Sequence, residues 1–164
     1  MAQITLSGDT KHIKQALQRL ADIGRKPQPF LAALGTEIVD NTRQRLNEGR
    51  PAVGASYVAF NKLYAQSRKP LPPLIQGGGL QRSLTSQARG DTLIWGSNLV
   101  YAAAQQFGAL IKPRTKPALV FRMGGQLFKR KSVLLPPRPY LGFTAEDRAA
   151  LETTLEGFFS RALR

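Results

Sequence analysis

Side chains that commonly carry enzyme chemistry are scarce in this sequence. Its 164 residues include no cysteine and a single histidine, His12. The absence of cysteine excludes disulfides, thiolate metal ligands and a cysteine nucleophile. One histidine excludes a histidine metal cluster within the chain, and we interpret His12, beside Ile13 on a predicted helix, as a surface or boundary residue. We therefore expect no catalytic residue and no enzyme activity, because no nucleophile–base pair is evident.

Two acidic residues and one glycine run are the remaining candidates for a bound ligand. Glu37 and Asp40 share one face of a predicted helix, where we expect them to pair with Arg43 or with the basic middle segment rather than to bind a cation. Three glycines at residues 77–79 suggest a phosphate-binding loop, but such a loop needs Lys-Ser/Thr next, and residues 80–81 are Leu-Gln. We expect a flexible turn there, and no cofactor or metal ion.

Positive charge is what the sequence has in excess. There are 24 Lys and Arg against 10 Asp and Glu, a formal net charge of +14. Residues 49–145 hold 14 basic residues and one acidic residue, Asp91, whereas residues 1–48 carry a net +2 and residues 146–164 a net −1. Such asymmetry indicates an anionic partner for the middle of the chain, either nucleic acid or an acidic protein surface.

Half of those basic residues fall in one stretch, at about residues 109–135. They are Lys112, Arg114, Lys116, Arg122, Lys129, Arg130 and Lys131. Apolar residues flank Gly124 and Gly125, a pattern typical of a long β-hairpin with a glycine turn. We interpret Phe121 and Phe128 as strand-packing residues rather than base-stacking platforms. We expect these seven residues to contact an acidic protein or, without sequence specificity, DNA.

Helical spacing predicts two amphipathic helices in the first third of the chain. The first runs from an N-cap at Asp9 or Thr10 to Gly24, and the second begins at Pro29 and ends near residues 47–49. A short edge strand at residues 4–6 precedes them. No apolar run approaches the ~18 residues that span a membrane, so we expect no membrane partner.

The rest of the chain predicts short elements followed by a closing helix. A short helix lies near residues 61–68, a hairpin turns at residues 89–91, and a second short helix at residues 101–107 ends at Gly108. The last helix begins with a capping box at residues 144–147. The predicted fold is α+β, one domain over residues 1–164, with two N-terminal helices, a small mainly antiparallel sheet bearing the long basic hairpin, and a C-terminal helix.

Several short motifs follow one another along most of the chain. They are Ile-Thr-Leu-x-Gly-Asp at residues 4–9, Ala16-Leu17-x-x-Leu20, Gly79-Leu80-x-x-Ser83, Trp95-Gly96-Ser97, Tyr101-Ala102, Gln106-Phe107-Gly108 and Pro137-Arg138-Pro139-Tyr140-Leu141-Gly142. In this order and spacing, the chain resembles the phage virion morphogenesis and tail completion proteins of the Mu type. From this resemblance we expect structural roles for Leu80, Gly96, Tyr101, Gln106, Phe107, Gly108, Arg138, Pro139 and Tyr140.

The resemblance implies a structural protein of the phage neck, which completes the tail and joins it to the DNA-filled head. Such proteins act as rings of identical subunits, often hexamers. The implied partners are other copies, neighbouring head-closure, tail terminator or tail tube proteins, and genomic DNA in the channel. The implied location is the virion, after assembly in the host cytoplasm. A tail terminator that caps the tube, or a free nucleic-acid-binding module, are the alternatives.

Some motif residues also have physical interpretations. We expect Tyr101 and Phe107 to anchor a short helix on the sheet, and Gly108 to let the chain reverse. Arg138 lies between prolines in an extended segment, which orients its guanidinium for a two-bond pair with a carboxylate. That carboxylate belongs either to the same chain or to a neighbouring subunit.

Overall fold

A computed structural model describes residues 11–164 as helices and strands joined by loops. The helices are α1 (Lys11–Arg25), α2 (Gln28–Glu48), α3 (Lys62–Ser67), α4 (Gly79–Arg82), α5 (Ala102–Phe107) and α6 (Ala145–Leu163). The strands are β1 (Leu84–Arg89), β2 (Thr92–Ser97), β3 (Ala109–Ile111), β4 (Leu119–Met123), β5 (Gln126–Arg130) and β6 (Val133–Leu135). The predicted α+β class is confirmed, while the predicted strand at residues 4–6 and the N-cap at Asp9 or Thr10 lie outside the described residues.

The strands form three separate antiparallel pairs, β1–β2, β3–β6 and β4–β5, where the sequence predicted one small sheet. The predicted hairpins with turns at residues 89–91 and at Gly124-Gly125 are confirmed. The stretch at residues 109–135 is divided into a short outer ladder, β3–β6, and an inner hairpin, β4–β5. Pro113 and Pro117 lie between the two ladders, and proline cannot donate a ladder hydrogen bond, which accounts for the break.

Helix α2 is the central element, and it packs on the β1–β2 hairpin and on α6. Its buried residues Val39 and Leu46 join Leu80, Leu84 and Tyr140 in the hydrophobic core. Gly35 lets α2 lie close to β1, because a Cβ at this position would be 2.7 Å from the Ser86 hydroxyl oxygen.

Two predicted helix boundaries shift by one residue. Helix α1 continues through Gly24 to Arg25, because a glycine weakens a helix without ending it. Helix α2 begins at Gln28, so Pro29 is its second residue; the backbone N–H that proline lacks would have no helical partner at either position. The predicted capping box of α6 is present, with the Thr144 backbone N–H donating to Asp147 Oδ2 at 2.9 Å.

A buried ion pair joins α2 to α6. Arg45 Nη1 lies 3.3 Å from Asp147 Oδ2, and both side chains are almost completely removed from solvent. Arg45 Nη1 also donates to Thr144 Oγ1 at 3.0 Å, and Asn41 donates to the other oxygen of Asp147 at 3.0 Å. Asp147 therefore caps α6 and neutralises the arginine of α2 at the same time.

Replacing Asp147 with alanine should lower the free energy of unfolding by about 3–5 kcal/mol, because Arg45 would remain buried without its counter-charge. Asp40→Ala is the control: Asp40 lies 2.9 Å from Arg43 in an exposed pair, and its loss should cost less than about 1 kcal/mol. Urea unfolding of both variants measures the difference. Equal losses of unfolding free energy in the two variants would show that the buried ion pair stabilises the fold no more than the exposed one.

Candidate assembly surface

Five of the seven predicted basic residues lie where the two ladders of residues 109–135 join. Ile111 pairs with Val133 at the end of β3–β6, and Leu119 pairs with Arg130 at the start of β4–β5. The connections between these pairs, residues 112–118 and 131–132, therefore both link the end of one ladder to the start of the other. They carry Lys112, Arg114, Lys116 and Lys131, with Arg130 beside them. We call these five residues the basic junction.

The remaining two basic residues lie on the outer face of the β4–β5 hairpin. Directly opposed residues of antiparallel strands share a face, and the pairs Val120–Lys129 and Arg122–Leu127 place these four exposed side chains together. On the other face Phe121 and Phe128 stack with ring centres 5.8 Å apart, which agrees with strand packing. The hairpin thus presents a mixed cationic and apolar surface to solvent.

All seven predicted contact residues are exposed. Within residues 11–164, none of them lies within 4.0 Å of a carboxylate oxygen. Arg130 donates to the Lys129 carbonyl oxygen at 3.0 Å and lies 5.4 Å from the centre of the Phe128 ring. The charge of this surface is therefore uncompensated within the described chain, and an anionic partner would be attracted to it.

Two of the sequence motifs are joined by a clamp centred on Gln106. Its side-chain oxygen accepts from the backbone N–H groups of Tyr140 and Leu141, both at 2.9 Å, and its nitrogen donates to the Leu141 carbonyl at 2.9 Å. The Arg138 N–H donates to the Gln105 carbonyl at 2.7 Å. Helix α5 thus holds the segment that leads into α6, although the two lie more than 30 residues apart in sequence.

Other motif residues support this arrangement. Leu80 and Tyr140 are buried in the core, where burial raises the pKa of the Tyr140 hydroxyl. Pro139 accepts a 3.0 Å hydrogen bond from the Ala52 N–H. Gly108 has a φ of 75° and passes so close to β6 that a Cβ would lie 2.8 Å from the Leu135 carbonyl oxygen. Gly96 has no such constraint, since a Cβ there would meet only Leu141 at 3.8 Å.

The expected anchoring of α5 by aromatic residues is wrong. Phe107 is 77% exposed and Tyr101 is about half-exposed, while Ala102 takes the buried position. The small side chain of Ala102 packs in the core, and Gln106 supplies a further attachment of α5 by hydrogen bonding.

Arg138 is buried, but its predicted carboxylate partner is not found in the described part of the chain. Its Nη2 donates to the Val58 carbonyl at 3.2 Å, and its guanidinium lies 4.6 Å from the centre of the Phe60 ring. Burial lowers the pKa of the Arg138 guanidinium. Nearby, burial raises the pKa of Tyr57 to about 12. Residues 11–164 thus supply no Asp or Glu side chain to Arg138. The other alternative, a carboxylate of a neighbouring subunit, stays a prediction.

An apolar surface that the sequence analysis did not identify lies on the β3–β6 ladder. Leu110 and Leu134 are directly opposed and are 56% and 74% exposed. Phe107 lies three residues before Leu110. Strands of three residues give too little alternation to reveal which face is outward, so only the pairing identifies this surface. We call Phe107, Leu110 and Leu134 the stem patch.

Residues 11–164 hold no group of three or more Asp, Glu, His or Cys side chains placed to bind a metal ion. In the same residues, no helix combines the length and apolarity needed to cross a membrane.

Comparisons with known proteins point to the same family as the sequence motifs. Residues 8–160 match the phage virion morphogenesis family. The chain belongs to this family. It is also 25% identical over 157 residues to "Mu-like prophage FluMu G protein 2" of Haemophilus influenzae, covering 95% of each chain. A search of solved structures gave no match. Family membership gives the chain a structural role in the assembly of phage particles.

Gln106→Leu tests the clamp of this family member. It should lower the free energy of unfolding by about 2–4 kcal/mol, because the Tyr140 and Leu141 N–H groups lose their acceptor. Hydrogen exchange at those two amides should accelerate in parallel. Gln44→Leu is the control, since Gln44 only bonds to Glu48 on an exposed helix face. A Gln106 variant as stable as the Gln44 variant would contradict the clamp.

Proposed function

We propose that this chain is a non-enzymatic component of the phage neck, which completes the tail and joins it to the DNA-filled head as one subunit of a ring. We propose six copies in that ring. The observation that carries the proposal is the stem patch. Leu110 and Leu134 are directly opposed on β3–β6 and both are more than half exposed, as is Phe107, and exposed apolar surface in a single chain can mark a protein contact.

A ring requires two different surfaces that meet head to tail on successive subunits. The stem patch supplies an apolar surface, and the basic junction lies on the same projecting stretch, residues 109–135. In our proposal the stem patch packs against the next copy. The basic junction then faces along the ring axis, toward acidic head-closure, tail terminator or tail tube proteins. The protein would act in the virion, after assembly in the host cytoplasm.

Contact with DNA is the second candidate for the basic junction. Its five cations have no counter-charge in the described chain, so they would also attract phosphates. A tight grip on DNA in the channel would hinder passage of the genome, because each neutralised phosphate adds an attraction. We therefore favour an acidic protein partner for this surface. A role as the tail terminator, capping the tube itself, uses the same two surfaces.

Leu134→Asp tests the ring. A charge in the stem patch should leave the subunit folded and keep it monomeric, because the carboxylate would be desolvated in the subunit contact. Native mass spectrometry of the full chain, alone and with tail components, measures the oligomer. Val53→Asp, at another exposed apolar position, should assemble normally. Wild-type chain that stays monomeric under every condition would contradict the proposal.

A combined Lys129→Gln, Arg130→Gln and Lys131→Gln variant tests the basic surface. We expect it to form rings but to join heads to tails less well, by on the order of tenfold, since charged rim contacts mainly govern association. Binding of duplex DNA across a salt series is the second measurement. If the wild-type chain binds duplex tightly and the variant lowers the salt slope by about 0.9 per lost phosphate contact, DNA is the partner instead.

A further inference from the structure

A cavity of about 400 Å³ lies between the basic hairpin and the body of the protein. Its walls come from the loop before α3, from α5, from the inner face of β4 and from the segment after β6. Apolar and aromatic side chains form much of the wall, including Phe60, Leu74, Met123 and Leu135. Among residues 11–164, Arg68 and Arg138 are the two charged residues that line it, and no Asp or Glu does.

Both arginines lie against one aromatic ring. The Cζ atoms of Arg68 and Arg138 are 4.4 Å and 4.6 Å from the centre of the Phe60 ring. Arg68 donates to the carbonyl oxygens of Leu71 and Pro72, at 2.6 Å and 3.2 Å. Stacking and carbonyl bonds hold the guanidinium groups in place, so an incoming ligand would find them already oriented.

The hydrogen-bonding capacity of Arg138 is largely unused. A guanidinium has five N–H donors, and the described chain supplies an acceptor for one of them, the bond to Val58. The Nε of Arg138 and the Nε of Arg68 are both buried without a partner. Arg138 is only 5% exposed, and its Nε is excluded from solvent. A buried arginine without a counter-charge is unfavourable, and an anion in the cavity would remove that cost.

We propose that this cavity binds the carboxylate of an Asp or Glu side chain carried by a neighbouring protein, with the adjoining part of that protein on the apolar wall. The inference rests on the proposed function, because it requires a protein docked on this face. A phosphate of duplex DNA is fixed to the outside of a wide double helix and cannot reach a guanidinium that is 5% exposed. A carboxylate on a flexible side chain can enter and form the planar two-bond pair that arginine favours.

The probe is 3-phenylpropionate, which joins one carboxylate to an apolar ring. It is titrated into the full chain while the arginine Nε–H resonances are followed by ¹H–¹⁵N NMR. We expect the Arg138 and Arg68 resonances to shift with a dissociation constant on the order of 1–10 mM, as befits a small ligand. The neutral 3-phenylpropanol should bind at least tenfold more weakly. Equal binding of the alcohol would overturn the proposal, because the cavity would then be merely apolar.

Gln105→Glu places a carboxylate of the chain itself in competition with the probe. Gln105 lines the cavity, so its new carboxylate should pair with the arginines and weaken binding of the probe at least tenfold. Gln76→Glu repeats the test from another wall position. Gln87→Glu, exposed on β1, makes the same change of charge and should leave binding unchanged. Equal binding by all three variants would overturn the proposal.

Two further additions identify the anion. Inorganic phosphate should shift the Arg138 resonance less than 3-phenylpropionate at equal concentration, and a short DNA duplex should not shift it. A larger shift with either one would overturn the assignment to a carboxylate. Probe binding is a property of the single chain. If the chain binds the probe but stays monomeric under every condition, the carboxylate site is supported and the ring is contradicted. If the chain forms a ring but does not bind the probe, the ring is supported and the carboxylate site is contradicted.

Discussion

The rest of the structure depends on the buried pair between Arg45 and Asp147. It joins the end of the central helix α2 to the start of α6, and Asp147 also caps α6 through the Thr144 backbone. A buried charge tolerates little displacement of its partner, so the first turn of α6 is fixed against α2. The segment immediately before α6, residues 138–144, is therefore held at one end by an ion pair that solvent does not reach.

The other end of that segment is held by α5. The amide of Gln106 makes three hydrogen bonds to the backbone of Tyr140 and Leu141, and Tyr140 fills the core beside Leu46 and Leu80. Between these two attachments the chain has little freedom. Arg138, whose backbone N–H donates to the Gln105 carbonyl, is held to α5 as well, and β3 begins and β6 ends beside these attachments. The basic stretch at residues 109–135 is thus connected to a rigid part of the protein. Such rigidity suits a surface that must have the same shape in every copy.

Local patterns in the sequence were sufficient for elements whose causes are local. The capping box at Thr144, the glycine turn at residues 124–125 and the glycine after α5 each follow from residue types at fixed spacing. The Arg45–Asp147 pair could not be predicted, because its partners are 102 residues apart and each is an ordinary charged residue in isolation. The stem patch was missed for a related reason: the sequence does not show which way Leu134 faces, whereas in the structure it lies opposite Leu110 and both are exposed.

The candidate assembly surface, too, was only partly predictable from the sequence. The excess of positive charge near residues 109–135 was evident from composition, but its division into a basic junction and an outer hairpin face depends on strand register. The aromatic residue expected to anchor α5, Phe107, instead lies on the surface with the stem patch. The stretch at residues 109–135 thus carries one apolar surface, in the stem patch, and one cationic surface, the basic junction. In the proposed ring, the first would lie between copies and the second would face a neighbouring protein.

The most direct test of this account is a reconstruction of the intact phage neck by electron cryomicroscopy. The account predicts a closed ring of this chain between head and tail, with Leu110 and Leu134 covered by the adjacent copy and the basic junction against an acidic protein surface. A neck that lacks this chain, or a ring in which the stem patch faces solvent, would contradict it.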